Sequence, residues 1–228
     1  MKRRQFLTIA GMNMLLAACG NQALDGLAAP NSGTSLDPNP VTDEDMDLLI
    51  SSGHVSTEAL QFIREEEKLA RDVYIALFNI WKLPVFDNIA ASEQVHTDRI
   101  KFLLDKYSIE DPAATTEIGE FKNTTIQKYY DDLVDRGSKS ALEALHVGGY
   151  IEELDIGDLR HEIELANSQD VINVYTNLVN GSYNHLRSFV GQIEKQGVTY
   201  KAQLLEQSDV DSIVASGGSN GSGGKGRA

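Results

Sequence analysis

The sequence contains a single cysteine, Cys19, and few of the alternating apolar and polar runs that are typical of strands. One thiol excludes an intramolecular disulfide and any metal site built from cysteine pairs. Basic residues are also few, since 20 Lys and Arg face 34 Asp and Glu and leave a formal net charge of -14. Because such a surface repels phosphate backbones and anionic lipid, we expect no nucleic-acid partner.

The first 18 residues have the pattern of an export signal. Basic residues at positions 2–4 precede a short apolar core and then small residues of the kind found at a cleavage site. The segment is too short to remain a membrane-spanning helix. Residues 3–7 are similar to a twin-arginine signal, and residues 16–19 to a bacterial lipobox. We therefore predict a signal peptide over residues 1–18 and lipidation of Cys19, which would anchor the mature chain in the cell envelope. The alternative is a stray buried cysteine.

Composition divides the rest of the chain into three parts. Residues 19–45 are rich in Asn, Ser, Gly, Pro and Asp without a periodic apolar pattern, which predicts a flexible tether. Residues 46–215 are long enough for one domain with a core of its own and contain no internal repeat. Residues 216–228 are mostly Gly, Ser and Asn, a composition that predicts a disordered tail.

The apolar period within residues 46–215 is helical and predicts four main helices. The first is expected from near Ser56 to Trp81, ending before Pro84. The second is expected to be capped by Asp87 and stopped by Pro112. Together these two segments form the first half of the predicted domain.

The second half of the domain begins with a short helix predicted over residues 124–136. Ser140 and Glu143 form the pattern of a capping box at the start of the third main helix. The fourth main helix is expected to begin after Ser168, and a last amphipathic segment lies around residues 204–214. The sequence therefore predicts an all-α fold.

Carboxylates and imidazoles interrupt the apolar stripe of each main helix. They are Glu67 in the first, Glu93 and His96 in the second, Glu152 in the third, and His185 in the fourth. Charged residues are rarely buried unless they pair or bind metal, so these stripes predict one shared metal site inside a helical bundle. A mixture of carboxylate and imidazole ligands favours iron or manganese, with zinc able to occupy the same ligands.

The ligand-bearing segments resemble a known family. The first helix carries the pattern Glu67-x-x-Ala70-Arg71-x-x-Tyr74, which resembles the first helix of rubrerythrins and ferritins. With residues 92–96, 151–156 and 185–189, the chain over residues 55–200 resembles a ferritin-like family catalogued as domain of unknown function 2202. The resemblance implies a ferritin-like four-helix bundle with an additional short helix and a C-terminal helical segment.

The resemblance also implies which residues hold metal. The implied ligands are Glu67 in preference to Glu66, Glu93, His96, Glu152 with Glu153 as its competitor, Asp155 as a second or mobile carboxylate, and His185. Tyr74 is implied as a hydrogen-bonding neighbour of the ligands. Ser182 stands where the full di-iron motif has glutamate, which leaves three possibilities open. The site holds one ion, holds two asymmetrically, or borrows Asp155 or Glu153.

Several of these residues have an ordinary alternative. Glu66 is expected to be a solvated member of the charged run 64–68. Glu67 could instead form an i,i+4 salt bridge with Arg71, and His185 could be a core histidine with a hydrogen-bonded ring. The remaining histidines are expected at the surface: His54, His146 and His161.

The function expected from these features is that of an exported, lipid-anchored di-iron or di-manganese oxidase of the ferroxidase or peroxide-consuming type. One alternative is a non-catalytic metal-binding or structural envelope lipoprotein with a single or vestigial site. Another is an interaction module whose acidic surface recruits a basic partner. The partners expected are metal ions and, through the lipid anchor, a membrane, while a homodimer is left open.

Overall fold

A computed structural model describes residues 55–217 of the chain. Its elements are α1 (Thr57–Trp81), α2 (Pro84–Lys106), α3 (Thr124–Gly137), α4 (Ala141–Leu165), α5 (Gln169–Glu194) and α6 (Gln207–Ser216). No strand occurs within the described range, so the prediction of an all-α fold is confirmed there. The predicted signal, the lipidation site Cys19, the tether, His54 and the tail beyond residue 217 lie outside the described residues.

The four long helices enclose one interior. α1 packs mainly on α2 and α4 mainly on α5, and each pair is joined by a short connection. Contacts of α1 with α4 and of α2 with α5 bring the two pairs together, while α3 covers α1 and α4, and α6 packs on α5. None of the helices in residues 55–217 has both the length and the apolar character needed to cross a membrane.

Local sequence explains where two of the long helices begin. Ser56 caps α1 by accepting a hydrogen bond from the backbone N–H of Ala59, and Ser140 caps α4 through the N–H of Glu143. The carboxylate of Glu143 pairs with Arg136 of α3. These caps satisfy backbone donors that have no partner within the helix.

The predicted limits of the second main helix are wrong at both ends. α2 begins at Pro84 after Leu83, so Asp87 is not its cap but lies in its first turn. Proline suits the first helical position because its fixed φ matches the helix and its missing N–H would have no partner there. α2 ends at Lys106, before Pro112, and the chain turns through a positive φ of 56° at Ser108.

An aromatic cluster fills the interior on one side of the polar residues. The rings of Tyr74, Phe86 and Phe189 lie 5.3 to 6.1 Å apart between centroids, and all three side chains are fully buried. Phe189 reaches α4 because Gly148 has no side chain; a Cβ there would lie 2.4 Å from the ring. The hydroxyl of Tyr74 is the polar group of this cluster, and it lies next to the buried carboxylate of Glu152.

Candidate metal centre

Glu93 of α2 lies in the middle of a group of buried ionisable side chains. Its Oε2 is 2.7 Å from Nδ1 of His96, one turn along the same helix, and its Oε1 is 2.7 Å from Nδ1 of His185 on α5. The two imidazole rings lie 5.4 Å apart between centroids. One carboxylate therefore presents a different oxygen to each of two imidazoles.

α1 and α4 add a further carboxylate to each imidazole. Oε2 of Glu67 lies 3.1 Å from Nδ1 of His96, and Oε2 of Glu152 lies 3.4 Å from Nδ1 of His185. The result is two triads, Glu67–Glu93–His96 and Glu93–Glu152–His185, and the ligand atoms of each lie within 4.8 Å of one another. Each triad could hold a metal ion, and Glu93 belongs to both.

Many ligand atoms of the two triads have no hydrogen-bond partner. These buried atoms are Oε1 of Glu67, both carboxylate oxygens of Glu93, Oε2 of Glu152 and Nδ1 of His185. The short contacts between Glu93 and His185 therefore lack the geometry of a hydrogen bond. Since buried charges are stable only when they are paired or coordinate a metal, this donor set fits bound cations. Oxygen and imidazole ligands suit iron, manganese or zinc.

α5 contributes no carboxylate to this group, and α4 carries a further buried carboxylate nearby. Ser182, one turn before His185, is buried and donates its hydroxyl hydrogen to a carbonyl of its own helix. Asp155, one turn after Glu152, is also buried, and its Oδ2 has no hydrogen-bond partner. The carboxylates of both triads act on its charge. Asp155 therefore raises the number of carboxylates around this interior to four.

Glu153 points away from this group. Its oxygens accept hydrogen bonds from the hydroxyl of Tyr200 and from the backbone N–H groups of Gln203, Leu204 and Leu205. A buried carboxylate with this many donors has no capacity left for a metal. Of the two carboxylates that the site was expected to borrow, the structure places Asp155 near the triads and Glu153 elsewhere.

Two hydroxyl groups orient the ligands from outside. Tyr74 donates a hydrogen bond of 2.5 Å to Oε1 of Glu152, which leaves Oε2 of that carboxylate facing His185. Oγ of Ser92 lies 2.9 Å from Nε2 of His185. Partners of this kind fix the orientation of an imidazole and leave its other nitrogen available to a metal.

Burial and neighbouring charges act in opposite directions on the carboxylates. Burial raises the pKa of Glu67 to about 7 and also raises the pKa values of Glu152 and Asp155. Burial would raise the pKa of Glu93 too, but the imidazoles of His185 and His96 lower it to about 2. Glu93 is therefore the carboxylate of the group that remains ionised most readily.

The pKa values of both imidazoles are raised by the neighbouring carboxylates. Burial by itself lowers the pKa of His96, but Glu67 and Glu93 raise it to about 11. Burial likewise acts against the charged form of His185, while Glu152 and Glu93 raise its pKa to about 10. Without metal, the neighbouring carboxylates therefore favour the protonated form of both rings at neutral pH.

The structure corrects one expectation for α1 and rules out one alternative. Glu66 is not solvated but 1% exposed, and it lies beside Asp158 of α4. Burial first, and then the charges of Asp158 and Glu67, raise its pKa well above the usual value. Arg71 does not pair with Glu67; it contacts Asp72 and donates a hydrogen bond to Gln94.

The other described histidines lie apart from the triads. His161 is exposed, as expected. His146 is half-buried and stacks on the ring of Tyr200, with centroids 5.9 Å apart, so it is less open to solvent than expected. Burial lowers its pKa, which favours the neutral ring.

Several residues around the centre were not predicted from the sequence. The carboxylates Asp158 and Glu162 continue the row of Glu152 and Asp155 along α4, and their spacing of three and four positions was a readable signal. Gly181 carried no such signal. Its importance comes from tertiary packing, because a Cβ there would lie 2.5 Å from Nε2 of His96.

Comparisons with known proteins agree on the family. A crystal structure of a hypothetical protein, MJ0754 from Methanococcus jannaschii, superposes with a TM-score of 0.68 and 42% identity, covering 80% of this chain and 98% of that chain. The uncharacterized protein MJ0754 of Methanocaldococcus jannaschii is 43% identical over 183 residues, which are 80% of this chain and 93% of that protein. The family model for an uncharacterized protein domain, DUF2202, matches residues 56–217, so the chain belongs to the DUF2202 family.

Proposed function

We propose that this chain is an exported, ferritin-like lipoprotein that binds two iron or manganese ions between its four long helices and acts as an oxidase. The activity would be of the ferroxidase or peroxide-consuming type. Its proposed ligands are Glu67, Glu93, His96, Glu152, Asp155 and His185.

The shared position of Glu93 is the single observation that carries this proposal. A mononuclear site needs one group of ligands, whereas here two triads meet at a carboxylate whose two oxygens face different imidazoles. Four carboxylates and two histidines from four helices are also the ligand set of di-iron and di-manganese bundles. This agreement supports the ferritin-like assignment, which rests on the ligand pattern as well as on the helical architecture.

The chemistry would come from the metal, and the chain would control access and protonation. Two bound ferrous or manganous ions would supply one electron each, and these with two protons reduce oxygen to hydrogen peroxide or peroxide to two waters. Tyr74 holds Glu152 in place through its hydroxyl, and Ser92 holds His185. The buried rings of Phe86 and Phe189 exclude water on the side of Tyr74.

The proposed location rests on the N-terminal sequence. The basic head, apolar core and residues 16–19 support export followed by lipidation of Cys19. Mass spectrometry of protein extracted from the native membrane would test this directly. We expect a diacylglyceryl adduct on an N-terminal peptide that begins at Cys19, and an unmodified, uncleaved N-terminus would contradict it.

A non-catalytic metal-binding role is the second candidate, and Ser182 favours it. With serine at this buried position, α5 contributes an imidazole but no carboxylate to the centre. In this alternative the two triads bind cations that stabilise the helices without turning over. The two functions share a site and differ in whether the bound ion changes its oxidation state.

Metal content is the first experiment. We expect two iron or manganese ions in the centre of each purified chain, loss of both in Glu93→Ala, and loss of at least one in His96→Ala. Glu164→Ala is the matched control, because Glu164 is an exposed carboxylate of α4. Metal content that is unchanged by Glu93→Ala and His96→Ala would refute the site.

Oxidation of ferrous iron then separates the two functions. Ferrous iron is added to the metal-free chain without oxygen, oxygen or peroxide is admitted, and ferric absorbance is followed. The oxidase proposal predicts oxidation well above the buffer rate in the wild type and in Glu164→Ala, and the buffer rate in Glu93→Ala. Metal binding without accelerated oxidation would support the non-catalytic role.

A further inference from the structure

A second group of buried carboxylates lies outside the two triads. Glu66 of α1 and Asp158 of α4 are 1% and 3% exposed and approach within hydrogen-bonding reach of each other. Both oxygens of Glu66 and Oδ2 of Asp158 lack a hydrogen-bond partner. Two ionised carboxylates are both acceptors, so this pair needs either a proton on one carboxyl or a cation between the two.

The surroundings of this pair are also acidic. The charged side chains that act most strongly on Glu66 are Asp158, Glu67 and Glu162. Glu162 is 6% exposed and stands one turn beyond Asp158 on α4. A half-buried tyrosine of α3, Tyr129, lies near both Glu66 and Asp158. Every one of these neighbours offers oxygen atoms.

The pair is continuous with the candidate centre. Along α4 the carboxylates of Glu152, Asp155, Asp158 and Glu162 follow one another at steps of three, three and four residues, so they share one side of the helix. Their exposure increases along this row from 0% at Glu152 to 6% at Glu162. At about 1.5 Å per residue the row is roughly 15 Å long and leads from the triads toward the surface.

We propose that Glu66 and Asp158, with Glu162 at the outer edge, form an additional divalent-cation site made of oxygen ligands alone, through which the cation reaches the centre. Oxygen ligands with bound water suit hard cations such as Mn²⁺ and Fe²⁺. The binding step needs only the unpaired oxygens of Glu66 and Asp158. The transfer step rests on the proposed dinuclear centre.

Manganese binding to the full metal-free chain tests both steps. Equilibrium dialysis gives the number of Mn²⁺ ions per chain, and rapid mixing gives the rate at which the centre fills. The variants are Glu66→Gln and Asp158→Asn, which keep the side-chain shape, and Glu164→Gln is the exposed control on α4. We expect each of the two variants to bind one ion fewer than the wild type and to fill the centre at least about tenfold more slowly, with no change in Glu164→Gln.

Thermal unfolding without metal checks that the variants fold. Because burial already opposes the charged form of both carboxyl groups and an amide keeps the ability to hydrogen-bond to its neighbour, we expect both variants to melt at or above the wild-type temperature. Unchanged ion number and filling rate in both variants would overturn the proposal, and so would loss of every bound ion in Glu66→Gln, which would make Glu66 a ligand of the centre itself.

Glu93→Gln separates the two proposals. If only the dinuclear centre is wrong, Glu93→Gln leaves the Mn²⁺ count unchanged while Glu66→Gln still removes one ion. If only the additional site is wrong, Glu93→Gln removes the bound ions and Glu66→Gln removes none.

Discussion

The buried charges on α1 form two sets that differ in their partners. The outward set, Arg64, Glu65, Lys68 and Asp72, holds the loop of residues 107–123, and the inward set is Glu66 and Glu67. Lys68 donates to Asp72 at 2.6 Å and to the carbonyls of Glu117 and Glu120. The inward carboxylates have three oxygens without a hydrogen-bond partner.

The rest of the outward set is satisfied in the same way. Arg64 forms two hydrogen bonds of 3.0 Å with Asp111, and Glu65 accepts the backbone N–H groups of Lys122 and Asn123. The comparison teaches that burial of a charge does not by itself indicate function. A buried charge that has hydrogen-bond partners stabilises the fold. A buried charge that lacks such partners indicates that a ligand binds there.

Breaking the outward set should have the largest effect on stability. Lys68→Ala removes the ammonium partner of Asp72 and of two carbonyls, while Arg71 and the N–H of Gly119 still hold Asp72, so we expect a loss of about 2–3 kcal/mol in the free energy of unfolding. Lys128→Ala is the matched control, because Lys128 and Asp132 form an exposed i,i+4 pair at the same distance of 2.6 Å. That variant should unfold at the wild-type urea concentration, because an exposed ion pair contributes little. Equal losses of stability in the two variants would mean that the buried Lys68–Asp72 pair stabilises the fold no more than the exposed Lys128–Asp132 pair does.

Protons should compete with metal at the two triads. The pKa values of about 11 for His96 and about 10 for His185 mean that a bound metal displaces a proton from each ring. Affinity should therefore rise with pH, by roughly a hundredfold per pH unit for two protons between pH 7 and 9. Below pH 7 the dependence should steepen, because the pKa of Glu67 is about 7 and a third proton takes part. Calorimetry in buffers of different ionisation enthalpy would count these protons, and a pH-independent affinity would contradict the assignment.

Neutralising an inward carboxylate should have the smallest effect on the metal-free fold. Glu67→Gln keeps the shape of the side chain and removes a charge whose ionisation is opposed by burial, but it also removes one partner of the protonated His96, which keeps Glu93. Because these two effects oppose each other, we expect the free energy of unfolding of the metal-free variant at pH 8 to stay within about 1 kcal/mol of the wild type. Urea unfolding in the presence of a chelator measures this. A loss similar to that of Lys68→Ala would place Glu67 among the structural charges.

The sequence predicted the helices and the buried residues of the two triads better than it predicted the burial of the charged run 64–68. Apolar stripes of period 3.6 locate Glu67, Glu93 and His185, because a polar residue on a buried stripe is visible in a window of two turns. The run 64–68 is different, since five adjacent charges point in several directions around one helix. Which of them is solvated depends on the loop that crosses α1, and its contacts join residues 47 to 58 positions apart.

The start of α2 was predicted from the capping preference of Asp87, but the helix begins earlier, at Pro84. Asp87 is a good capping residue, but Pro84 sits three positions earlier with a geometry that already suits a first turn. Gly181 and Ser92 illustrate the other limit, because each matters through one contact with a histidine of another helix. Such contacts have no periodicity along the chain.

Glu153 determines where this polypeptide can be shortened. Its carboxylate belongs to α4, yet the donors that satisfy it come from residues 200–205, 47 to 52 positions downstream. A fragment ending at residue 199 would keep all four long helices, but the buried carboxylate of Glu153 would lose the donors that satisfy it. A fragment that folds by itself must therefore include residues 200–205, because Glu153 in the middle of α4 needs them. A protease that removes residues 200–205 would perturb the backbone beside Glu152.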